Sequence, residues 1–337
     1  MSPTSTPSSS TTTRLPAVRG EAGGREGRTD RGATRPRRPV RGLVVAVLAL
    51  LLALGILFAP DLPSWNGAGA AWTSFLPWTA IPIVLLGAAA VIRRSWWAGA
   101  AVLVAAMVWA VTFVPALLPA RTAASADLLV ATQNIGAGNA DPAGAVRGLL
   151  GTGAGLVAAQ EITAAADGAV ANLDAAYPDH ARVGTVGLWS QWSMDDPEPL
   201  ELGLSWARAF RTVVHHVDGD IAVYTVHLPS VRPGDTAARD RAVTELAALV
   251  QADPAGRVLV LGDLNTATTD PALTPLTDRL TDSREQVAGG FGFTWPAPFP
   301  LTRPDHVLAR GLTPVSDQVL AAGGSDHRLV LVGLRAG

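Results

Sequence analysis

Three apolar stretches near the N-terminus, residues 42–59, 72–92 and 97–118, constrain this chain more than any other feature, because they contain no charged side chain. The first is eighteen residues long, which as a helix covers about 27 Å of hydrocarbon, and the other two exceed the roughly twenty residues that a membrane crossing needs. In a chain of 337 residues, 48% hydrophobic and 16% charged with a mean hydropathy of +0.27, they predict three transmembrane helices. Arg37, Arg38 and Arg41 precede the first stretch, and Arg93 and Arg94 close the second. Counting Arg at the span ends places the N-terminus and that turn in the cytoplasm and everything after Arg121 outside, giving a multi-pass protein of the cell membrane with an extracytoplasmic C-terminal domain. Trp65, Trp72, Trp78, Trp96, Trp97 and Trp109 fall in this region, several at span ends, where amphipathic rings favour the interface. Pro77 and Pro82 are tolerated inside a membrane helix. A cleaved signal peptide ahead of a soluble protein also begins with a basic run and an apolar core, but it leaves two further spans without an explanation.

Charge divides the chain in the same way. Residues 1–41 hold nine Arg against three acids, 42–120 two Arg against one acid, and 121–337 fifteen Arg against 24 acids. The first segment, rich in Ser, Thr, Pro, Gly and Arg, cannot bury enough apolar surface to offset its ordering entropy and is expected to be a disordered cytoplasmic tail. The net −9 of the last segment disfavours nucleic acid as a partner. Cysteine is absent, so disulfides and thiolate metal sites are excluded, and Lys is absent too.

From Asp127 the periodicity changes. Short β-rich runs at 128–132, 156–159, 221–226, 258–261, 307–308 and 329–334 alternate with turns and a few helical stretches, the mark of a mixed α and β domain over 127–337. Asp141 and Asp270, each followed by Pro, read as helix caps, and Asp235 precedes an amphipathic stretch at 236–250. Asp218-Gly219 reads as a hairpin turn between 213–217 and 221–226, and 187–199, with Trp189 and Trp192, as a surface loop.

Polar residues sit at one end of these strands. Asn134, Glu161, His227, and Asp263 with Asn265 follow the first four runs, whereas Asp305, and Asp326 with His327, precede the last two. If the first four strands run one way and the last two the other, all eight groups converge at one sheet edge. Carboxylates with an amide oxygen suit a hard divalent cation, and imidazoles beside acids suit proton transfer at a phosphate ester. Glu161, Asp263 and Asp326 resist a purely structural explanation, because clustered buried carboxylates repel and each unpaired one is costly to desolvate. His180, His215 and His216 fit no such pattern and read as ordinary surface or core histidines.

The ordered set Gln133-Asn134, Gln160-Glu161, Val226-His227-Leu228, Gly262-Asp263-Leu264-Asn265, Thr294-Trp295, Asp305-His306 and Ser325-Asp326-His327 resembles the endonuclease/exonuclease/phosphatase superfamily. Behind three membrane spans, it resembles in particular the VanJ-type teicoplanin-resistance membrane proteins. The resemblance implies an α/β (α+β) fold: a four-layer α/β sandwich of two packed mixed β-sheets with a Mg2+- or Mn2+-dependent hydrolytic site at one edge. It implies Glu161 as principal metal ligand with Asn134 beside it, Asp263 orienting or deprotonating the attacking water, and Asn265 holding the phosphorus centre. It also implies that Asp326 fixes His327 as base or phosphoryl contact, and that Asp305 polarises His227 at the phosphoryl oxygens. Pro304 cannot donate to a sheet ladder, which points to an edge or displaced position for Asp305.

The expected partners are the lipid bilayer and a lipid-linked phosphate such as undecaprenyl pyrophosphate. An extracytoplasmic endonuclease, a phospholipid phosphodiesterase and a non-catalytic tethered module are the other readings. The eight residues 119–126 tether the domain, spanning at most about 28 Å, so substrates in the outer leaflet gain effective concentration. An upright domain would hold the site about 20 Å above its attachment and would have to tilt.

Overall fold

Strands buried on both faces read as continuous apolar runs, and β1 (Leu128–Asn134), β2 (Leu156–Gln160), β7 (Ile221–His227) and β8 (Val258–Asp263) are buried along almost their whole length. They form the centre of two sheets in the computed structural model, which describes residues 42–62, 67–118, 125–232, 234–287, 289–321 and 323–336. The Arg-rich tail 1–41 and residues 119–124 of the tether lie outside the described residues.

The remaining strands are β3 (Asp179–Val183), β4 (Val186–Ser190), β5 (Glu198–Leu200), β6 (Ala209–Val214), β9 (Thr281–Asp282), β10 (Asp305–Arg310), β11 (Leu312–Leu320) and β12 (Leu329–Ala336). One sheet has the order β11-β12-β1-β2-β4-β3, the other β5-β6-β7-β8-β10-β9. Both are mixed: β1 and β2 are parallel, as are β7 and β8, while β12 and β10 return antiparallel to β1 and β8. Val130, Leu156, Leu188, Phe210, Val223, Leu261 and Val332 fill the space between the sheets. Helices α5 (Pro142–Gly151) and α6 (Asp167–Ala176) cover the outer face of the first sheet, and α7 (Ala237–Ala252) with the short α8 (Thr274–Thr277) covers the second. The result is the four-layer α/β sandwich. A last short helix, α9 (Ser283–Val287), follows β9. Asp141 caps α5 by accepting from the Gly144 amide at 2.9 Å, with Pro142 in the first turn.

The apolar N-terminal region departs from the expected three spans. Among the described residues one helix, α4 (Trp96–Leu117), is long and apolar enough to cross a membrane, or two spans if a bent pair is counted as one. That pair occupies the second stretch, where α2 (Ala68–Ser74) and the segment Leu76–Ile92, which contains α3 (Ala80–Ile92), meet at 69°. Pro77 explains the break: it lacks an amide proton and disfavours helical geometry at Leu76, so the chain passes through a 3₁₀ turn, Leu76–Thr79, before resuming. The first stretch forms α1 (Leu43–Leu57), fifteen residues or about 22 Å, because the chain turns at Phe58 into another short 3₁₀ segment, Ala59–Asp61. Small residues such as Ala49, Ala53, Ala98 and Ala105 bring α1, α3 and α4 together, while Val84, Leu85, Val91, Leu103, Met107 and Val111 face outward.

Two smaller readings are also corrected. Residues 187–199 contain most of β4 and the start of β5; Trp189 is fully buried, its indole donating to Asp174 at 2.8 Å, and Trp192 packs on the core between the sheets. Asp305 is not at an edge, because β10 lies between β8 and β9. Pro304 sits one residue before the strand, where its carbonyl still accepts from the Leu264 amide at 2.9 Å and no donor is required.

Candidate active site

Strand direction brings the eight polar residues together. His227, Asp263 and Asp305 stand side by side in cross-strand register at the ends of β7, β8 and β10. Asn134 ends β1 in the other sheet and reaches across, its amide donating to Asp263 Oδ2 at 3.0 Å, which joins the two sheets at the site. Glu161 follows β2 directly and Asp326-His327 precede β12.

Local backbone geometry is specialised around these residues. Glu161 and Asn265 both have positive φ, 59° and 48°, a conformation that L residues adopt only where the surroundings impose it and that costs on the order of 1–3 kcal/mol. At Asn265 the constraint is visible: its amide donates to Asp263 Oδ1 at 2.9 Å and its side chain to the Leu228 carbonyl at 2.9 Å. Gly262 has φ 138°, and a Cβ there would lie 2.0 Å from the Val226 carbonyl oxygen, so the Gly-Asp-x-Asn sequence needs its glycine for β7 and β8 to close under Asp263.

The carboxylate and imidazole pairing differs from the one the resemblance implied. His327 Nδ1 lies 2.9 Å from Asp305 Oδ2, so Asp305 serves His327 and not His227. The reason is register: β10 and the segment entering β12 face each other across the gap between the sheets, whereas the β7 imidazole points toward Glu161. His227 Nε2 is 3.6 Å from Glu161 Oε1 and 3.8 Å from Asp263 Oδ2. Asp326 instead accepts from the Trp295 indole at 3.3 Å. Ser325 fixes this turn, accepting from the His327 amide at 3.0 Å and donating to the Asn134 carbonyl at 2.6 Å. Thr294 donates to Asp305 at 2.5 Å. His180, His215 and His216 pair with acids outside this constellation.

Sequence reading missed Arg208. Its Nη2 lies 3.0 Å from His227 Nδ1 and 3.2 Å from Nε2, and no motif surrounds it to signal the contact. The two imidazoles consequently differ in charge. Burial, followed by the Arg208 and His327 charges, lowers His227 to about 3, so it is neutral near pH 7. Burial opposes the charge on His327 too, but Asp305, Asp263 and Asp326 outweigh it and raise His327 to about 10. Burial pushes the Asp263 carboxyl above its ordinary value.

A divalent cation fits this donor set. Four carboxylates, Glu161, Asp263, Asp305 and Asp326, converge, and among the described residues the cations set against them are Arg208 and His327. Asp305 Oδ1 is buried without a hydrogen-bond partner. Asp263, Asp305 and His327 have ligand atoms within 4.8 Å of one another, but the Asp305–His327 hydrogen bond already claims the facing atoms. Glu161 and Asp326 are the hard oxygen donors that line the cavity side, while the Asn134 amide oxygen, buried behind them, accepts from the Gly136 amide at 3.0 Å. That cavity, of about 600 Å³, is lined by Glu161, Asp263, Asn265, Trp295, Asp326 and His327, and its far wall is α2. The site therefore abuts the apolar helix α2 directly.

An α/β sandwich with an oxygen-rich, doubly histidine-bearing edge defines a metal-dependent phosphoester hydrolase. The sequence profile of the Endonuclease/Exonuclease/phosphatase family matches residues 131–327, well over half of the chain, and the chain belongs to that family. Family members use divalent metal ions, typically Mg2+. No protein of curated function matches the sequence. Among solved structures, D. rerio TDP2 complexed with a single-strand DNA product superposes with a TM-score of 0.52 at 17% identity, covering 62% of this chain and 99% of that one. The Bacteroides thetaiotaomicron mannosyl-6-phosphatase gives 0.50 at 15% identity, over 62% and 99%. The human Nocturnin catalytic domain with bound sulfate gives 0.51 at 14%, over 61% and 93%. At these identities the likeness establishes the shared fold.

Proposed function

We propose that the chain is a membrane-anchored, Mg2+-dependent phosphohydrolase with an extracytoplasmic site that hydrolyses a lipid-linked phosphate such as undecaprenyl pyrophosphate. One observation carries this reading: the cavity holding the catalytic residues is walled by α2, part of an apolar helical unit whose outward faces are Val, Leu and Met. In this reading the protein crosses the membrane at more than one place, with the Arg-rich N-terminus inside. Hydrolysis of such a lipid carrier would alter the supply of cell-wall precursor and contribute to glycopeptide (teicoplanin) resistance.

The residues divide the work of an in-line displacement, in which a water oxygen bonds to phosphorus as the bridging P–O bond breaks. Asp263, held by Asn134 and by the Asn265 amide, orients the water and takes its proton. His327, already protonated, contacts the phosphoryl oxygens instead of acting as base, and Asp305 with Thr294 keeps its ring oriented. Asn265 lines the same cavity and contacts the phosphoryl group. Neutral His227 is held by Arg208, 3.0 Å from its Nδ1, and stands 3.6 Å from Glu161 on the metal side of the site. Glu161, Asp326 and Asn134 would hold the metal ion, which when bound would supply charge neutralisation for the phosphoryl group.

The test is phosphate release from undecaprenyl pyrophosphate by the detergent-solubilised full-length protein, with and without Mg2+, beside an Asp263→Ala control. Metal-dependent release absent from the control supports the reading. No release from folded protein, with cleavage of plasmid DNA or of phospholipid head groups in its place, replaces it with the endonuclease or phosphodiesterase reading.

A further inference from the structure

The helix α2 is not merely next to the site; it presents one particular face to it. Ala68 and Ala71, spaced to share one side of the helix, and Phe75, which caps its C-terminal end, are exposed, and all three line the cavity with Asp263 and His327. The opposite face, Gly69, Ala70 and Thr73, is buried. Two hydrogen bonds tie this wall to the loops that carry catalytic residues. Thr269, four residues beyond Asn265, donates to the Thr73 carbonyl at 2.5 Å, and the Trp78 indole donates to the Leu301 carbonyl at 2.8 Å. Across the cavity stands Trp295, which is partly exposed and bonded to Asp326. A phosphate group needs none of this apolar surface. Its position, opening from the polar residues toward helices with outward apolar faces, matches a ligand that is charged at one end and hydrocarbon beyond it.

Resting on the phosphohydrolase reading above, we propose that the wall made by Ala68 and Ala71 of α2 and by Phe75, the residue that caps it, determines the specificity of the site, receiving the first hydrocarbon units of a membrane-anchored phosphate. Ala at 68 and 71 leaves the room that the chain occupies, and Phe75 with Trp295 forms the flat sides of the slot.

The experiment compares kcat/KM for undecaprenyl pyrophosphate with that for isopentenyl pyrophosphate, which carries the same reacting group on a short chain, using the full-length protein in detergent. The wild type is expected to favour the long chain. Ala71→Trp fills the slot and is expected to lower the ratio of the two kcat/KM values by about tenfold or more, the scale set by misfit in an apolar pocket. Phe75→Ala, which removes volume and is safe against overpacking, lowers the same ratio by a smaller factor. Val84→Trp, on the outward face of α3, keeps the wild-type ratio. Wild-type preference for the long chain that persists in both slot variants overturns the wall and leaves the lipid substrate standing. A wild type that turns over isopentenyl pyrophosphate and not the long-chain lipid overturns both.

Discussion

Strand β10 separates two buried clusters of charge that are built from the same residue types and differ in how their charges balance. Asp305 and His306 are neighbours, and the pleat sends them to opposite sides. On one side Asp305 meets His327 and Thr294 at the edge of the cavity. On the other, His306 bonds Asp282 at 2.8 Å and the Thr266 carbonyl at 2.8 Å, while Arg303 grips both oxygens of Asp282 at 2.8 Å and reaches Asp317. Ser283 and Arg284 complete Asp317. In this second cluster two guanidinium groups answer two carboxylates, and although burial alone would raise Asp282, Arg303 and His306 hold it well below the usual carboxylate range. Its charges are balanced, and its product is a fixed placement of β9, β10 and β11 against one another. The first cluster has carboxylates in excess of cations, two side chains in left-handed backbone and a cavity beside it. The difference teaches that burial of charge does not by itself mark a catalytic site; an uncompensated charge balance next to open space does.

The contrast breaks first at turnover. Asp263→Ala or His327→Ala is expected to lower kcat by roughly 10³-fold or more with the circular dichroism spectrum intact; activity within tenfold of wild type in both variants would falsify the assignment of the site.

The charge-balanced cluster answers differently. Arg303→Met leaves Asp282 and Asp317 buried with less compensation and is expected to cost about 3–5 kcal/mol of stability. Chemical denaturation reads this directly, and a loss under about 1 kcal/mol means the network is not what holds β9 to β10.

Asp305→Asn sits between these extremes. It removes the nearest of the charges that raise His327, so its pKa falls from about 10 toward 6.5. In the wild type the stabilisation due to charged His327 is full below 6.5 and is lost as pH rises toward 10; in the variant that loss and the alkaline limb of kcat move to lower pH. An alkaline limb unmoved in Asp305→Asn separates Asp305 from His327. On the acid side His227 acts in the opposite sense: between pH 6.5 and about 3 the unfolded chain takes a proton that the folded chain refuses, so stability falls there.

The smallest effect is on the metal side. Mg2+ is expected to raise the wild-type Tm by a few degrees by binding the folded state alone, and Glu161→Gln to reduce that rise. An equal rise in both proteins removes Glu161 from the metal ligands.

Much of this was legible in the sequence because the relevant signals are local. Apolar runs at 128–132, 156–159, 221–226 and 258–261 fall within β1, β2, β7 and β8, and the polar residues at their ends gather where strand direction requires. What failed was long-range. The partner of His327 depends on which strand end faces which across the gap between the sheets, so Asp326, its neighbour in sequence, was the wrong choice and Asp305 the right one. Arg208 belongs to no motif, because a guanidinium reaching a ring from the residue before β6 leaves no spacing to read. The apolar stretch 72–92 measured long enough for one span, and the consequence of Pro77 emerged only as a bend.

The sequence by itself determined the family, the oxygen-and-imidazole chemistry of the site and the presence of an apolar N-terminal unit, because these follow from residue type, order and length. Tertiary structure alone decided which imidazole carries the charge, which charge cluster is balanced, and that the bent helix α2 stands against the catalytic cavity. Those properties depend on distances between side chains well separated in sequence, 22 residues apart in the 2.9 Å contact between His327 and Asp305 and 129 apart in the 3.0 Å bond from Asn134 to Asp263, and no local pattern encodes them.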